Sequence, residues 1–175
     1  MARVVFFSFD YDDVFRVNQV RNSGQFVGEK RSGFRDKAEY EKVKRRGDKA
    51  IKKWIRRQMD GCSVTCVLIG QDTHQSKWVN FEIEESIKNG MGLLGVYIHE
   101  LKDQGGSVPD TVSEPNNPLR DHKMPPKGLL DELWPDRASD RYETYTWHPA
   151  GSVWLLIWPN DLGAWVEEAA RTAGR

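Results

Sequence analysis

The sequence predicts an α/β domain with a doubly wound, mostly parallel sheet and helices on both faces. Short, nearly continuous apolar runs alternate along the chain with segments in which apolar residues recur at helical spacing. Most of these runs lack the alternation of a half-exposed strand, which indicates strands buried on both faces. Right-handed crossovers between such strands leave a ligand crevice beyond their carboxyl ends. The length of 175 residues fits one domain.

Four runs of residues are predicted to form the strands of this sheet. The first three are rich in β-branched and aromatic side chains, and each gives way to a polar residue or a glycine. The fourth alternates aromatic and polar side chains, which is typical of an edge strand. In chain order, the predicted strands are residues 4–9, 62–69, 93–98 and 142–148.

Helical periodicity or capping residues mark four further segments. Apolar side chains recur at i, i+3, i+4 and i+8 from Ile51 to Met59. Ser76 and Gly90 are placed to begin and end the next helix. Helices and strands thus alternate as a parallel sheet requires. The predicted helices are residues 14–21, 37–59, 77–89 and 161–172.

Residues 102–127 are predicted to be an insertion within a single domain that spans residues 1–175. The segment contains two adjacent glycines and five prolines but few apolar anchors, and it is too long for an ordinary connection. Long polar loops rarely carry core packing, so we expect the insertion to be dispensable for the sheet. We also expect it to lie near an assembly surface or the mouth of the pocket.

The composition argues against partners that are polyanions or membranes. The 26 basic and 26 acidic side chains balance, so no overall field draws the protein to either. The basic residues that crowd positions 42–57 are interpreted as a solvated helix face, and we expect no nucleic-acid partner. Cys62 and Cys66 are too far apart on one strand to form a disulfide, and no apolar run approaches the roughly 18 residues that span a bilayer. We therefore expect a cytoplasmic protein that binds no membrane.

Neither a metal site nor a dinucleotide-cofactor site is indicated. The four histidines and two cysteines lack the spacing of metal ligands. Residues 90–95 match the pattern G-x-G-x-x-G, but they follow a helix and precede a strand. A pyrophosphate site requires the reverse order, in which the glycines follow a strand and precede a helix. The end of a helix and close packing therefore explain these glycines.

The segment 71–83 is the most informative part of the sequence for function. At 100° per residue, an apolar stripe on its helix must face the sheet, and Trp78 and Glu82 form the adjacent stripe. Glu82 would lie only about 8 Å above the start of the helix, where it can border the crevice. The alternative is a solvated glutamate, as we expect for Glu84 and Glu85. The apolar stripe consists of Val79, Ile83 and Ile87.

Several motifs resemble one family of proteins. Residues 78–83, Trp-Val-Asn-Phe-Glu-Ile, resemble the W-V-x-x-E-I pattern of the TIR family, in which a short helix carries the glutamate that acts on NAD. Residues 6–13 look like the first TIR strand and the acidic turn after it. Residues 15–22 and 63–70 are similar to the TIR-like subunit of Thoeris antiviral defence systems. The order of elements agrees from residue 3 to about 100, which implies a flavodoxin-like sheet.

The resemblance implies an NAD glycohydrolase or ADP-ribosyl cyclase. Such an enzyme breaks the nicotinamide N-glycosidic bond and makes a cyclic or modified ADP-ribose in antiphage defence. NAD is then a substrate rather than a cofactor, and the partner is an effector protein that the product activates. Hydrolysis and cyclisation are both open, as are the trigger and the formation of a homo-oligomer. A non-catalytic TIR scaffold and a nucleoside deoxyribosyltransferase-like enzyme, which also uses a glutamate, remain alternatives.

The resemblance assigns Glu82 as the catalytic carboxylate, and its chemistry needs no metal. Nicotinamide leaves as a neutral molecule while positive charge develops on the ribose, so an ionised carboxylate beside the ribose stabilises the transition state. Further substrate-binding assignments are aromatic walls for the nicotinamide or ribose and polar contacts to hydroxyls or phosphates. The aromatic residues are Trp78 and Phe9, and the polar ones are Asp10, Arg21 and Asn22.

Overall fold

Among the described residues, four parallel strands form one sheet, and their order across the sheet is their order along the chain. The computed structural model describes residues 3–23, 37–108, 114–126, 132, 135–157 and 159–175. Each strand overlaps its predicted run, and the parallel pairing confirms the predicted class of fold. The strands are β1 (Val5–Phe9), β2 (Val64–Ile69), β3 (Gly92–Tyr97) and β4 (Thr144–Thr146).

Each predicted helix is present, but the one predicted for residues 37–59 is two helices, and the short helices at residues 138–141 and 153–157 were not predicted. Gly47 separates the two helices within residues 37–59 with φ 83°, a left-handed conformation that glycine adopts without a clash at Cβ. The prediction of a single helix there is therefore wrong. None of the described helices is long and apolar enough to cross a membrane. The helices are α1 (Val14–Arg21), α2 (Lys37–Lys44), α3 (Asp48–Met59), α4 (Lys77–Lys88), α5 (Ala138–Arg141), α6 (Val153–Ile157) and α7 (Leu162–Thr172).

Helices cover both faces of the sheet because side chains alternate along each strand. On one face, Phe7 and Phe9 of β1 belong to a buried cluster that includes residues of α1 and α7. On the other face, Phe6 packs with α3, while β2 and β3 pack with Val79 and Ile83 of α4. The carboxyl ends of β1, β2 and β3 consequently meet at one edge between the two helical layers.

The glycines at residues 90–95 serve a turn and close packing, as predicted. Gly90 follows α4 with φ 61°, the left-handed conformation that commonly ends a helix. A Cβ at Gly92 would lie 2.5 Å from the carbonyl oxygen of Ala169, so this glycine allows α7 to contact the backbone of β3. The local backbone thus accounts for this pattern without a bound phosphate.

The described part of the insertion contributes to the core, which argues against the expectation that the insertion is dispensable for the sheet. Leu119 is 0% exposed and packs with Val67 and Ile69 of the sheet. Met124 belongs to the same cluster, and its backbone N–H donates to the carbonyl oxygen of Asp136 at 2.7 Å. Residues 114–126, which we call the docking segment, therefore form part of the fold rather than a removable loop.

We expect Leu119→Ala to lower the free energy of unfolding by about 2–5 kcal/mol, because the substitution leaves a cavity in the core. Urea denaturation followed by circular dichroism measures this change. Val108→Ala is the control within the same insertion, since that side chain is 45% exposed. It should stay within about 0.5 kcal/mol of the wild type. A Leu119→Ala variant as stable as the wild type would contradict a core role for the docking segment.

Candidate active site

Glu82 lies in the second turn of α4 and is completely buried, with 0% of its surface exposed. Its Oε2 accepts a hydrogen bond of 2.6 Å from the hydroxyl of Ser8 on β1. The sequence predicts that this carboxylate borders the crevice, with a solvated position as the alternative. The solvated alternative is wrong, because the side chain turns inward to a polar residue beneath the helix.

Ser8 and Glu82 belong to a set of four buried polar residues between α4 and the sheet. The hydroxyls of Thr65 on β2 and Ser86 on α4 lie 2.7 Å apart. The Ser86 hydroxyl also donates to the backbone carbonyl oxygen of Glu82 at 2.7 Å. All four residues are 0% exposed, and we call them the buried polar row. Directional bonds of this kind fix how α4 is rotated about its axis.

The two glutamates after Glu82 differ in their surroundings. Glu84 is exposed, as expected, but Glu85 is buried, and its expected solvation is wrong. Arg56 of α3 donates to both carboxylate oxygens of Glu85, at 2.6 and 3.0 Å. This hydrogen bonding lowers the pKa of Glu85 below its ordinary value. Glu84 is therefore the appropriate control for a charge-removing substitution at Glu82.

Trp78 lies half-buried on the side of α4 that faces α2 and α3. Its ring meets Phe81 edge to face at a centroid distance of 6.4 Å, and Nζ of Lys77 lies 4.8 Å from its ring centroid. Trp78 packs against the same cluster as Phe6 and Tyr40. Its side chain thus completes part of the packing between α4 and its neighbours, while its predicted contact with substrate stays a prediction.

Of the other four predicted binding residues, two lie at the carboxyl end of β1 and two at the end of α1. Phe9 is buried in the cluster on the face opposite Glu82. Asp10 caps the turn after β1, where its side chain accepts from the N–H of Asp12 at 3.0 Å. Arg21 and Asn22 are exposed at the end of α1. The fold brings Ser8, rather than Phe9, to Glu82, and the substrate contacts assigned to these four residues remain predictions.

A further carboxylate lies at the carboxyl edge of the sheet, and the sequence analysis did not single it out. Asp13 is buried, and Nη1 of Arg16 donates to it at 2.8 Å, while Nε of Arg16 donates to the carbonyl oxygen of Leu101 at 2.9 Å. A Cβ at Gly70, directly after β2, would collide with this carboxylate. Burial raises the pKa of Asp13 above its ordinary value. In the sequence, Asp13 is one of several aspartates in the acidic turn after β1, and nothing there distinguishes it from Asp10 and Asp12.

The start of α4 is tied to the docking segment through Asn80. Ser76 occupies the predicted N-cap position, but its side chain makes no capping hydrogen bond in the described structure. The amide of Asn80 instead donates to the carbonyl oxygens of Ser76 and His74, at 3.0 and 2.9 Å. The Asn80 side-chain oxygen lies 2.9 Å from Nε2 of His122 in the docking segment. The insertion thus contacts the helix that carries Glu82.

Metal ions in proteins are bound by clusters of histidine, cysteine, aspartate or glutamate side chains. Across the described ranges, no three histidine, cysteine, aspartate or glutamate side chains come together in a way that could hold a metal ion. Cys62 and Cys66 are buried, and burial raises the pKa of the Cys66 thiol.

The fold and the site together define a class of protein. A flavodoxin-like parallel sheet carries, on the helix after its second strand, a glutamate that turns toward the first strand. With the motif at residues 78–83, this arrangement is that of a TIR-like domain. The sequence model of the family described as "Thoeris protein ThsB, TIR-like domain" matches residues 6–103, and the chain belongs to this family. The resemblance found in the sequence is thereby confirmed.

The chain is also similar to a protein of Bacillus cereus (strain MSX-D12). Over 111 residues it is 41% identical to the protein named "Putative cyclic ADP-D-ribose synthase ThsB1". The match covers 62% of this chain and 58% of the relative, so the chain spans less than two thirds of the relative's length. All six predicted site residues lie within the family match, whereas residues after 103 lie outside it.

The Arg56–Glu85 pair predicts a stability difference that depends on pH. Because the folded pKa of Glu85 is lowered, the pair stabilises the fold fully above the unfolded pKa of about 4.3 and loses this effect as the pH falls through the folded pKa. We expect Arg56→Ala to unfold at a lower temperature than the wild type at pH 7, with the difference shrinking at pH 3. Arg57→Ala, at the exposed neighbouring position, should show no such dependence. Equal differences at both pH values for Arg56→Ala would contradict the assignment.

Proposed function

We propose that this chain is an NAD-consuming enzyme that cleaves the nicotinamide N-glycosidic bond and makes a cyclic or modified ADP-ribose signal in antiphage defence. The observation that carries the proposal is the Glu82 carboxylate, buried at the TIR-like motif and held at 2.6 Å by the Ser8 hydroxyl. The name of the Bacillus cereus relative, a cyclic ADP-D-ribose synthase, supports the same chemistry. NAD is the substrate, and the enzyme uses no separate cofactor.

In the proposed reaction, the bond between ribose C1 and the pyridinium nitrogen breaks, and its electron pair stays with nicotinamide. Nicotinamide then leaves as a neutral molecule and needs no acid. Positive charge develops on the ribose ring, where the negative charge of Glu82 stabilises it, as the second carboxylate does in glycoside hydrolases. A buried carboxylate is effective in this role because little water screens its charge.

The fate of the ribosyl cation determines the product. Capture by water yields ADP-ribose and a proton, whereas capture by a nucleophilic atom of the same nucleotide closes a ring with loss of any proton that the atom carried. We favour ring closure because the relative is named for a cyclic product. We further propose that the reaction takes place in the cytoplasm and that the product activates a separate effector protein.

The burial of Glu82 also bears on when the enzyme is active. The carboxylate has 0% exposed surface, so NAD reaches it only after the groups that cover it have moved. An enzyme at rest in this state consumes little NAD, which suits a protein that infection switches on. Activity assays therefore need a condition in which the wild-type protein cleaves NAD at a measurable rate.

We expect Glu82→Gln to reduce NAD cleavage by about 10²- to 10³-fold, the usual effect of losing one preorganised electrostatic contact to the transition state. The substitution preserves side-chain volume and an oxygen that can accept from Ser8, so the variant should fold. Incubation with NAD and separation of the products by mass measures turnover, and circular dichroism checks the fold.

Glu84→Gln is the matched control, because it removes the same charge from an exposed position of the same helix. Its turnover should equal that of the wild type. Near-normal turnover of Glu82→Gln, in a condition where the wild type is active, would overturn the catalytic role and favour a scaffold or a transferase. Glu85→Gln is unsuitable as a control because it also breaks the ion pair with Arg56.

A further inference from the structure

We propose that Ser8 is a positioning residue that holds the Glu82 carboxylate in its reactive orientation. The inference rests on the proposed function, since it concerns the same carboxylate and the same cleavage of NAD. Ser8 acts through Glu82 and needs no contact with substrate.

The first support is the geometry of the contact. The Ser8 hydroxyl donates to Oε2 of Glu82 at 2.6 Å, within the short range of O–H donors to ionised carboxylates. Both residues are 0% exposed, so bulk water does not compete with the Ser8 hydroxyl for the carboxylate. A hydrogen bond of this kind is strong and directional, and it selects one orientation of the carboxylate plane.

The second support is the place of Ser8 in the strand. Ser8 is the one polar residue of β1, whose other residues are valine and phenylalanine. Its neighbours Phe7 and Phe9 are buried in the cluster on the opposite face, and Ser8 is in register with Val67 of β2. The hydroxyl therefore projects from a backbone that is held by pairing with β2 and by the packing of Phe7 and Phe9. A short side chain there loses little rotamer freedom in making the bond.

The third support is what Glu82 needs. A glutamate side chain has three rotatable bonds, and an unrestrained carboxylate would sample several orientations before it met the ribose. A fixed donor on a strand removes this freedom in advance, which is how supporting residues commonly preorganise a catalytic group. The remaining residues of the buried polar row do not have this effect, because Ser86 bonds to the backbone carbonyl of Glu82 rather than to its carboxylate.

The test compares steady-state NAD cleavage by the wild type, Ser8→Ala and Ser8→Cys in an activating condition. We expect kcat of Ser8→Ala to fall by about 10- to 100-fold, the scale of a misplaced catalytic group. KM for NAD should change by less than about threefold, because binding of the ground state is not the function of this hydrogen bond. Ser8→Cys replaces the hydroxyl with a thiol, which is a weaker hydrogen-bond donor, so its kcat should also fall. Because a side chain remains at position 8, this variant leaves no cavity that could impair folding.

Two further variants separate positioning from a structural role. In Ser8→Ala combined with Glu82→Gln, kcat should equal that of Glu82→Gln alone, because Ser8 acts only through the carboxylate. Thr65→Val removes another buried hydroxyl beneath α4 while leaving Ser86 its bond to the carbonyl of Glu82. Its kcat should stay within about twofold of the wild type, even if its thermal stability falls as far as that of Ser8→Ala.

The outcomes distinguish this inference from the proposed function. If Glu82→Gln is inactive but folded Ser8→Ala and Ser8→Cys keep the kcat of the wild type, Ser8 is not a positioning residue and the proposed function stands. If Ser8→Ala lowers kcat further in the Glu82→Gln background, Ser8 acts by another route and the inference is wrong. If Glu82→Gln itself is fully active, the proposed role of the carboxylate fails first.

Discussion

The seating of α4 on the sheet is the contact on which the site depends. Val79 and Ile83 supply an apolar surface, but apolar packing alone allows a helix small rotations. The buried polar row adds hydrogen bonds between short side chains at β1 and β2, which tolerate little angular error. A buried polar group that loses its partner is costly, so these bonds stabilise the helix in its place on the sheet. The position of α4 is thus a property of the whole interface, whereas within the buried polar row only Ser8 bonds to the Glu82 carboxylate itself.

The same helix is also held at its two ends. The docking segment reaches Asn80 in the first turn through His122, which links the helix to a part of the chain outside the family match. At the other end, Arg56 of α3 binds Glu85. The guanidinium of Arg175 donates to the carbonyl oxygens of Asn89 and Gly90, in the turn that follows the helix, at 2.6 and 2.7 Å. A catalytic group on a regular element held in this way is placed more firmly than one on a loop.

Periodicity in the sequence was sufficient for the strands and most helices, because elements buried on one or both faces leave regular apolar patterns. Periodicity failed where a single residue sets a helix boundary or a distant contact determines whether a side chain is buried. The left-handed conformation of Gly47 divides a helix that the pattern shows as continuous. Glu82 and Glu85 are buried because each has a partner 74 or 29 residues away, which no local pattern reveals. Leu119 is one apolar residue among prolines and polar residues, so its burial has no periodic signal.

Gly70 and Asp13 show how the edge of the sheet restricts what other sequences this fold accepts. The space that a side chain at position 70 would need is filled by the carboxylate of Asp13, and that carboxylate is in turn bound by Arg16. The two positions therefore share one volume. Among variants that differ only at position 70, we expect those with glycine to fold. Variants that also carry a shorter side chain at position 13 would accept larger residues at position 70. Tolerance to mutation at the mouth of the crevice is a property of pairs of positions.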